Sequence, residues 1–235
     1  MFKHEPTMEI ITKGTAAWNA LFKGKETSDV WTKTYDTDKI YTMGDLSKIF
    51  NEDKKRIIIT GSCDAGPTEK QNVQNILEAL SKNNPAPVVV TGLALGVNTF
   101  VLEYCLEIGI PAVAVMATGM DDIYPRQNLQ LANKMKETPG CTLLTQFPEG
   151  TAPIALLFLE KNKTMTMISD MAIIVSSKHH GSSVVISKLM YDLRKKVYAL
   201  PGRIDDLKMK GCNELIGKGY ADILYEYSIL EEINF

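Results

Sequence analysis

The sequence contains few of the patterns that build metal, redox or membrane sites. Its four cysteines are widely scattered without a Cys-x-x-Cys pair, and the adjacent histidines His179-His180 have no cysteine nearby. Structural zinc is therefore not expected, and reduced thiols in a cytoplasm fit the composition best. The longest apolar run, Ile110 to Ala117, is too short to cross a bilayer, and the first residues hold no apolar signal core. We expect a cytoplasmic protein with no metal, no cofactor and no membrane contact.

The chain also lacks a strong charge and the common catalytic signatures. The net charge of −2 and the pI of about 6.0 provide no overall positive field for a polyanion, although a local patch can override net charge. The phosphate loop ending in Gly-Lys-Ser/Thr, the Gly-x-Gly-x-x-Gly fingerprint and the Gly-x-Ser-x-Gly elbow are all missing. Carboxylates in predicted loops offer acid–base candidates without a catalytic pattern. A catalytic constellation is therefore hard to assemble from these residues.

One stretch near the middle of the chain is typical of a strand, a tight turn and a helix. A β-branched run, Arg56 to Thr60, ends in Gly61-Ser62, and apolar residues recur at helical spacing from Thr68 to Leu80. Glycine lets backbone N–H groups approach a ligand, and the start of a helix carries partial positive charge. The stretch indicates a phosphate site or, equally, the ordinary first turn of an α/β domain.

Strands and helices alternate from residue 56 onward. Further apolar runs begin at Val88, Pro111, Cys141, Met171 and Val197, and helical patterns separate them. These runs show no alternation of apolar and polar residues, as expected when both faces of a parallel sheet are covered. The pattern predicts an α/β fold with a doubly wound, mostly parallel sheet.

Residues 1–53 differ from the rest because they are polar and show no clear periodicity. The stretch from Thr27 to Thr42 is rich in Asp and Thr and includes Trp31 and Tyr35. We predict a small N-terminal extension over residues 1–53 and a main domain over residues 54–235.

Glycine turns follow several of the predicted strands. Gly61, Gly92, Gly119 and Gly202 each come directly after an apolar run. Ligands of open α/β sheets bind beyond the carboxyl ends of the strands, so these turns are expected to gather along one rim. Such a rim presents backbone N–H groups and small hydroxyls, which suit phosphates and sugars. Turn geometry alone also explains each glycine taken singly.

Positive and polar residues near that rim are candidate phosphate contacts. Arg126 precedes a helix, Lys161-Asn162-Lys163 sets an amide between two cations, and Gly181-Ser182 opens a helix after the fifth strand. A solvated helix face or a plain N-cap explains each of them individually.

Taken in order, these motifs resemble those of the DNA-processing protein A family, also called Smf. The resemblance covers roughly residues 55 to 224, and the order of its short motifs is specific. The matching stretches are Thr60-Gly61-Ser62, Thr91 to Asn98, Gly119 to Asn128, Phe147 to Thr151, Phe158 to Ser169, Gly181-Ser182, Val197 to Gly202 and Gly211 to Ile216.

The resemblance implies an extended Rossmann-like domain that binds single-stranded DNA. It further implies a homodimer, delivery of the recombinase RecA onto incoming DNA in natural transformation, and no reaction. Tyr124 is the best aromatic candidate for stacking against the faces of the DNA bases. By motif position, the DNA or phosphate contacts fall on Gly61, Ser62, Gly92, Gly96, Lys161, Asn162, Lys163, Gly181 and Ser182, with Arg126 as a further candidate.

The sequence departs from the family pattern at several cations. Cys63 and Leu95 stand where the family has arginine, and Lys161 and Lys163 replace two more. Lysine keeps the charge but lacks the planar fork that grips phosphate in two places, and each lost contact weakens binding and flattens its salt dependence. Two alternatives therefore stay open: a nucleotide-binding enzyme or sensor similar to the phosphoribohydrolases, and a structural dimer module with a protein partner.

Overall fold

A computed structural model describes residues 7–22, 38–49, 54–231 and 233. Within these residues the strands are β1 (Met8–Thr12), β2 (Lys39–Gly44), β3 (Arg56–Thr60), β4 (Val88–Gly92), β5 (Ala112–Val115), β6 (Cys141–Thr145), β7 (Met171–Ile174), β8 (Lys196–Ala199) and β9 (Asp222–Ile223). The helices are α1 (Ala16–Phe22), α2 (Pro67–Ser81), α3 (Val97–Ile108), α4 (Leu129–Glu137), α5 (Ala155–Ile168), α6 (Ser182–Asp192) and α7 (Lys210–Gly217). Short 3-10 turns cover Arg126–Asn128 and Tyr227–Leu230.

All of these strands join one sheet in the order β1-β2-β6-β5-β4-β3-β7-β8-β9. The strands from β3 to β9 pair in parallel, whereas β1 and β2 run antiparallel along one edge. Within the parallel part of the sheet, the chain proceeds from β3 outward to β6 and then returns to the other side of β3 at β7. This reversal is a topological switch point, where the loops after two neighbouring strands diverge and leave a crevice. The predicted doubly wound, mostly parallel α/β fold is confirmed.

The inner strands are buried along their whole length because helices cover both faces of the sheet. Every residue of β3 through β7 is buried, with Ile57, Ile58 and Ile59 fully inaccessible. Burying each such β-branched side chain stabilises the fold by about 1.5–3 kcal/mol relative to exposure. The lack of polar alternation in the sequence follows directly from this two-sided burial.

The described part of residues 1–53 extends this sheet. β2 pairs with β6, placing Tyr41 opposite Thr145, and the Asp45 carboxylate accepts the Gly140 N–H at 2.7 Å. The predicted boundary between residues 53 and 54 stays a prediction. Trp31 and Tyr35 lie outside the described residues.

Hydrogen bonds attach the last described residues to the end of α2. The Asn83 side-chain amide donates to the Leu230 carbonyl at 2.7 Å, and Tyr227 donates its hydroxyl to Asn72 at 3.0 Å. Across the described ranges, no helix combines the length and apolar character that a membrane span needs.

Candidate functional site

The loops that follow β3 and β7 are joined at the switch point. The Ser62 N–H donates to Ser176 Oγ at 3.2 Å. A Cβ atom at Gly61 would lie 2.6 Å from Val97 Cγ2 and 3.1 Å from the Ser176 nitrogen, so a side chain does not fit there. The glycine in the turn after β3 therefore allows the two loops to approach each other closely.

The start of α3 supports the first of these loops. The Val97 N–H donates to the Ser62 carbonyl at 3.1 Å. Gly96 has a φ of +72°, and a Cβ atom there would lie 2.4 Å from the same carbonyl oxygen. The left-handed backbone and the close approach both require glycine at this position.

A polar cavity of about 160 Å³ opens between the two loops and α5. It includes six of the residues predicted from the sequence, which therefore lie together. Those six are Gly61, Ser62, Lys161, Asn162, Gly181 and Ser182; the other lining residues are Thr60, Cys63, Asp64, Ala94, Asn98, Phe158, Ser177, Lys178, Ser183 and Ile186.

Two adjacent residues of α5 provide buried hydrogen-bond donors in this cavity. The side chains of Lys161 and Asn162 are 7% and 2% exposed, respectively. Asn162 Nδ2 has no hydrogen-bond partner within the described residues. The contact of Lys161 is with an aromatic ring, since its Nζ lies 5.9 Å from the centroid of Phe158. Burial without a carboxylate partner lowers the pKa of Lys161 to about 8.

Gly92, at the end of β4, leaves the space that the Lys161 ammonium occupies. A Cβ atom at Gly92 would lie 2.7 Å from Lys161 Nζ and 2.7 Å from Asn98 Nδ2. The side-chain oxygen Oδ1 of Asn98 accepts a hydrogen bond from the Thr60 hydroxyl at 3.1 Å. This bond fixes the Asn98 side-chain amide next to the Lys161 ammonium. Because Gly92 has no side chain, the Lys161 ammonium can occupy its position at the cavity.

A second cavity, of about 290 Å³, adjoins the polar one and is mostly apolar. Its walls include Tyr124 and Phe158, whose ring centroids are 6.0 Å apart in an edge-to-face arrangement. The two cavities share Cys63, Ala94, Phe158 and Lys161; the remaining residues of the apolar cavity are Leu93, Leu95, Val115, Met116, Ala117, Tyr124 and Pro125. A buried ammonium therefore lies where the polar cavity meets the apolar one.

The outer rim of the polar cavity carries a paired acid and base. Lys178 Nζ lies 2.8 Å from an Asp64 carboxylate oxygen, and Lys208 Nζ donates to the Asp64 carbonyl at 2.7 Å. The hydrogen bond from Lys178 lowers the pKa of Asp64 and in turn raises that of Lys178. The Asp64 carboxylate is exposed and lies at the mouth of the cavity. Lys178 is therefore paired with a carboxylate, whereas Lys161 has no carboxylate partner among the described residues.

Two predicted cations are placed away from this cavity. Lys163 Nζ pairs with Glu160 at 2.8 Å, because residues two apart on a helix project from different sides. Arg126 is exposed in the 3-10 turn that follows Tyr124 and Pro125. Among the described lining residues of both cavities, neither cation is included.

Three examples illustrate the lining residues that were not predicted as contacts from the sequence. Phe158 and Cys63 contribute to both cavities, and Ser177 lines the polar one. Phe158 lies three residues before Lys161, and residues at that spacing share a helix face, so the spacing was an available signal. In the described residues, no group of three or more His, Cys, Asp or Glu side chains is placed to hold a metal ion.

Comparisons with known proteins identify relatives of this chain. The sequence profile of the DNA recombination-mediator protein A family matches residues 28–234. Protein Smf of Escherichia coli is 27% identical over 147 residues, which are 63% of this chain and 39% of that protein's length. The chain thus spans well under half of that curated relative.

Two solved structures share the fold. DNA processing protein A from Streptococcus pneumoniae superposes with a TM-score of 0.80 at 22% identity, over 97% of this chain and 75% of that one. DNA processing protein A from Helicobacter pylori, described for its single-stranded DNA binding mode, superposes with a TM-score of 0.76 at 23% identity. That match covers 94% of this chain and 92% of the other.

Proposed function

The chain belongs to the DNA recombination-mediator protein A family, and we propose that it binds single-stranded DNA through the paired cavities. The observation that carries the proposal is the pair of buried donors in the polar cavity. Lys161 has no carboxylate partner among the described residues, and Asn162 Nδ2 has no acceptor there. Buried polar groups are normally satisfied, so two neighbouring donors in an open cavity indicate a ligand that accepts hydrogen bonds and carries negative charge.

A DNA phosphate fits the polar cavity in this proposal. The Lys161 ammonium neutralises the phosphate, and the Asn162 amide donates to one of its oxygens. The loops at Gly61-Ser62 and Gly181-Ser182 line the same volume, and the second loop leads into the start of α6. Helix starts and glycine turns are favourable places for phosphate oxygens.

The base of the same nucleotide then occupies the apolar cavity. Tyr124 is 47% exposed, and Phe158 lines the wall that the two cavities share. Stacking of a base on an aromatic side chain contributes about 1–3 kcal/mol and depends little on base identity. We assign Arg126 and the exposed Ser182 to outer contacts of the continuing strand.

The wider role proposed here follows family membership. The protein acts as a homodimer in the cytoplasm and delivers RecA onto incoming single strands during natural transformation, without catalysing a reaction. The support for this part is the family profile over residues 28–234. A RecA strand-exchange assay on DNA coated with a single-strand binding protein tests it, since loading predicts faster exchange when this protein is added.

The test of the binding site compares two lysines of the same helix. We expect Lys161→Met to lose about 1.5–3 kcal/mol of binding to a labelled oligothymidine, about 10- to 100-fold in Kd, because it removes a charged hydrogen bond. The matched control is Lys163→Met, which removes the ion pair with Glu160 and is expected to change Kd little. Fluorescence anisotropy measures both.

Salt titration separates a lost phosphate contact from a general defect. Removing one contact lowers the slope of log K against log salt by about 0.7 for single strands. Equal losses for Lys161→Met and Lys163→Met, or an unchanged slope in Lys161→Met, would contradict this site.

The size of the cavities also favours a second candidate, a free mononucleotide. One nucleotide unit would fill both volumes without an extended groove. Under this alternative, AMP or a related nucleotide raises the melting temperature of the protein, and Lys161→Met abolishes the increase. An oligonucleotide that binds far more tightly than any mononucleotide would exclude it.

A further inference from the structure

We propose that Cys63 is a modification site at which small disulfides form a mixed disulfide, and that this adduct closes both cavities to DNA. The second half rests on the proposed function. The first half concerns the chemistry of one thiol and is tested independently.

Cys63 differs from the other three cysteines in its access to solvent. It is exposed, whereas Cys105, Cys141 and Cys212 are buried. Burial raises the pKa of the Cys212 thiol to about 12 and also raises the pKa values of Cys105 and Cys141. Because the thiolate and not the thiol is the nucleophile, the three buried cysteines are expected to be inert to added disulfide.

The position of Cys63 links its chemistry to the site. It is one of the few residues that line both cavities, together with Lys161 and Phe158. A nucleotide with its phosphate in the polar cavity and its base in the apolar one must pass this junction. A group attached to the Cys63 sulfur would occupy the same space.

A second observation shows that the same volume is built for a ligand. The Asn162 side chain is 2% exposed, lines the polar cavity and leaves Nδ2 without a partner in the described part of the chain. The cavity next to the Cys63 thiol therefore contains a buried hydrogen-bond donor, Asn162 Nδ2, that a ligand could satisfy. The Lys161 ammonium lines the same cavity, and the thiol is exposed to solvent beside it.

The reaction is thiol–disulfide exchange. The Cys63 thiolate attacks one sulfur of a low-molecular-weight disulfide, RS–SR. A new bond forms between Cys63 Sγ and SR, the old S–S bond breaks, and RS⁻ leaves with the bonding electron pair and takes up a proton from water. An excess of dithiol reverses the reaction, so the adduct acts as a switch.

The experiment uses the full chain and the uncharged reagent 2-hydroxyethyl disulfide, so that the adduct adds bulk without charge. Peptide mass spectrometry is expected to locate a single adduct on Cys63. Anisotropy with labelled oligothymidine is expected to show affinity at least about tenfold weaker, since the phosphate and base contacts are lost together. Dithiothreitol is expected to restore affinity.

Two variants separate blockage of the site from a general effect of modification. The affinity of Cys63→Ser for oligothymidine should be the same with and without the reagent. Cys63→Ser/Ser81→Cys carries an accessible thiol at the exposed end of α2, remote from the cavities, and should form the adduct without losing affinity.

Each outcome decides part of the proposal. An adduct on a buried cysteine, or an unmodified Cys63 under conditions that modify the Ser81→Cys thiol, overturns the modification site. An adduct on Cys63 with unchanged affinity overturns its effect on DNA. Failure of the reduced parent to bind oligothymidine overturns the proposed function and the exclusion of DNA with it, while adduct mapping still decides the modification site.

Discussion

Arg56 and Lys161 are two buried cations at opposite ends of the sheet, and their surroundings differ. Arg56 begins β3, is 1% exposed, donates from Nη2 to the Ala20 carbonyl at 3.2 Å and lies near Asp170. Burial lowers its pKa to about 10, while the Asp170 charge opposes that shift. Lys161 has only burial acting on its pKa, which falls to about 8.

The contrast separates a structural cation from the cation that we propose binds phosphate. Arg56 joins the last turn of α1 to the sheet through Nη2 and has the Asp170 charge nearby, while its Nε and Nη1 are buried without a hydrogen-bond partner among the described residues. Lys161 faces a cavity, and the contact of its ammonium within the described residues is with an aromatic ring whose centroid is 5.9 Å away. Burying an uncompensated charge lowers stability, so a fold that retains one is expected to use it in binding.

The largest expected effect comes from removing the structural cation. We expect Arg56→Ala to lower the free energy of unfolding by about 3–5 kcal/mol, because it empties a fully buried volume and leaves Asp170 without its neighbouring charge. Urea unfolding followed by circular dichroism measures this loss. Oligothymidine affinity of the folded variant should stay unchanged. A stable variant with weakened DNA binding would reverse the two assignments.

Removing the binding cation should have the opposite effect on stability. We expect Lys161→Met to raise the free energy of unfolding at pH 7 by up to about 3 kcal/mol, since the buried charge is relieved. The folded pKa of about 8 lies below the ordinary 10.5, so the unfolded chain binds this proton more tightly. The free energy of unfolding of the parent therefore rises as pH increases from 8 to 10.5. In that window the stability difference between the parent and Lys161→Met should narrow. A difference independent of pH would contradict the assignment.

The smallest effect is the pH dependence of DNA binding. Phosphate binding requires the charged form of Lys161, so affinity should hold below pH 8 and fall by at most about tenfold per pH unit above it. Anisotropy in a Cys63→Ser background measures this without contribution from the thiol. Lys161→Arg keeps its charge at these pH values and should give a flat profile. A decline in affinity shared by both proteins would assign the titration to another group.

Most of the fold could be predicted because the inner strands carry a local signal. The runs at Ile57 to Ile59 and Val88 to Val90 are β-branched and fully buried, so their chemistry alone indicates a two-sided sheet. The outer strands β1 and β2 were missed. Only Ile11 of β1 is buried, and β2 pairs with β6, a strand far away in sequence. Long-range antiparallel pairing at an edge leaves little local pattern to detect.

The site was predictable as a set of loops and less so as individual side chains. The turns at Gly61 and Gly181 follow strands that meet at the switch point, so topology brings them together. Lys161 and Lys163 look alike in sequence, yet one is buried in the cavity and the other pairs with Glu160. Their difference depends on the rotation of α5 and on the space left by a distant glycine, which no local pattern contains.

That glycine links two positions that are remote in the chain. A methyl group at Gly92 would overlap the Lys161 ammonium, with 2.7 Å between the two atoms. Alanine at 92 therefore requires the Lys161 ammonium to move from its present position. Among proteins descended from this chain, we expect substitutions at positions 92 and 161 to be correlated. A lineage that acquires a side chain at position 92 must first move or lose the Lys161 ammonium.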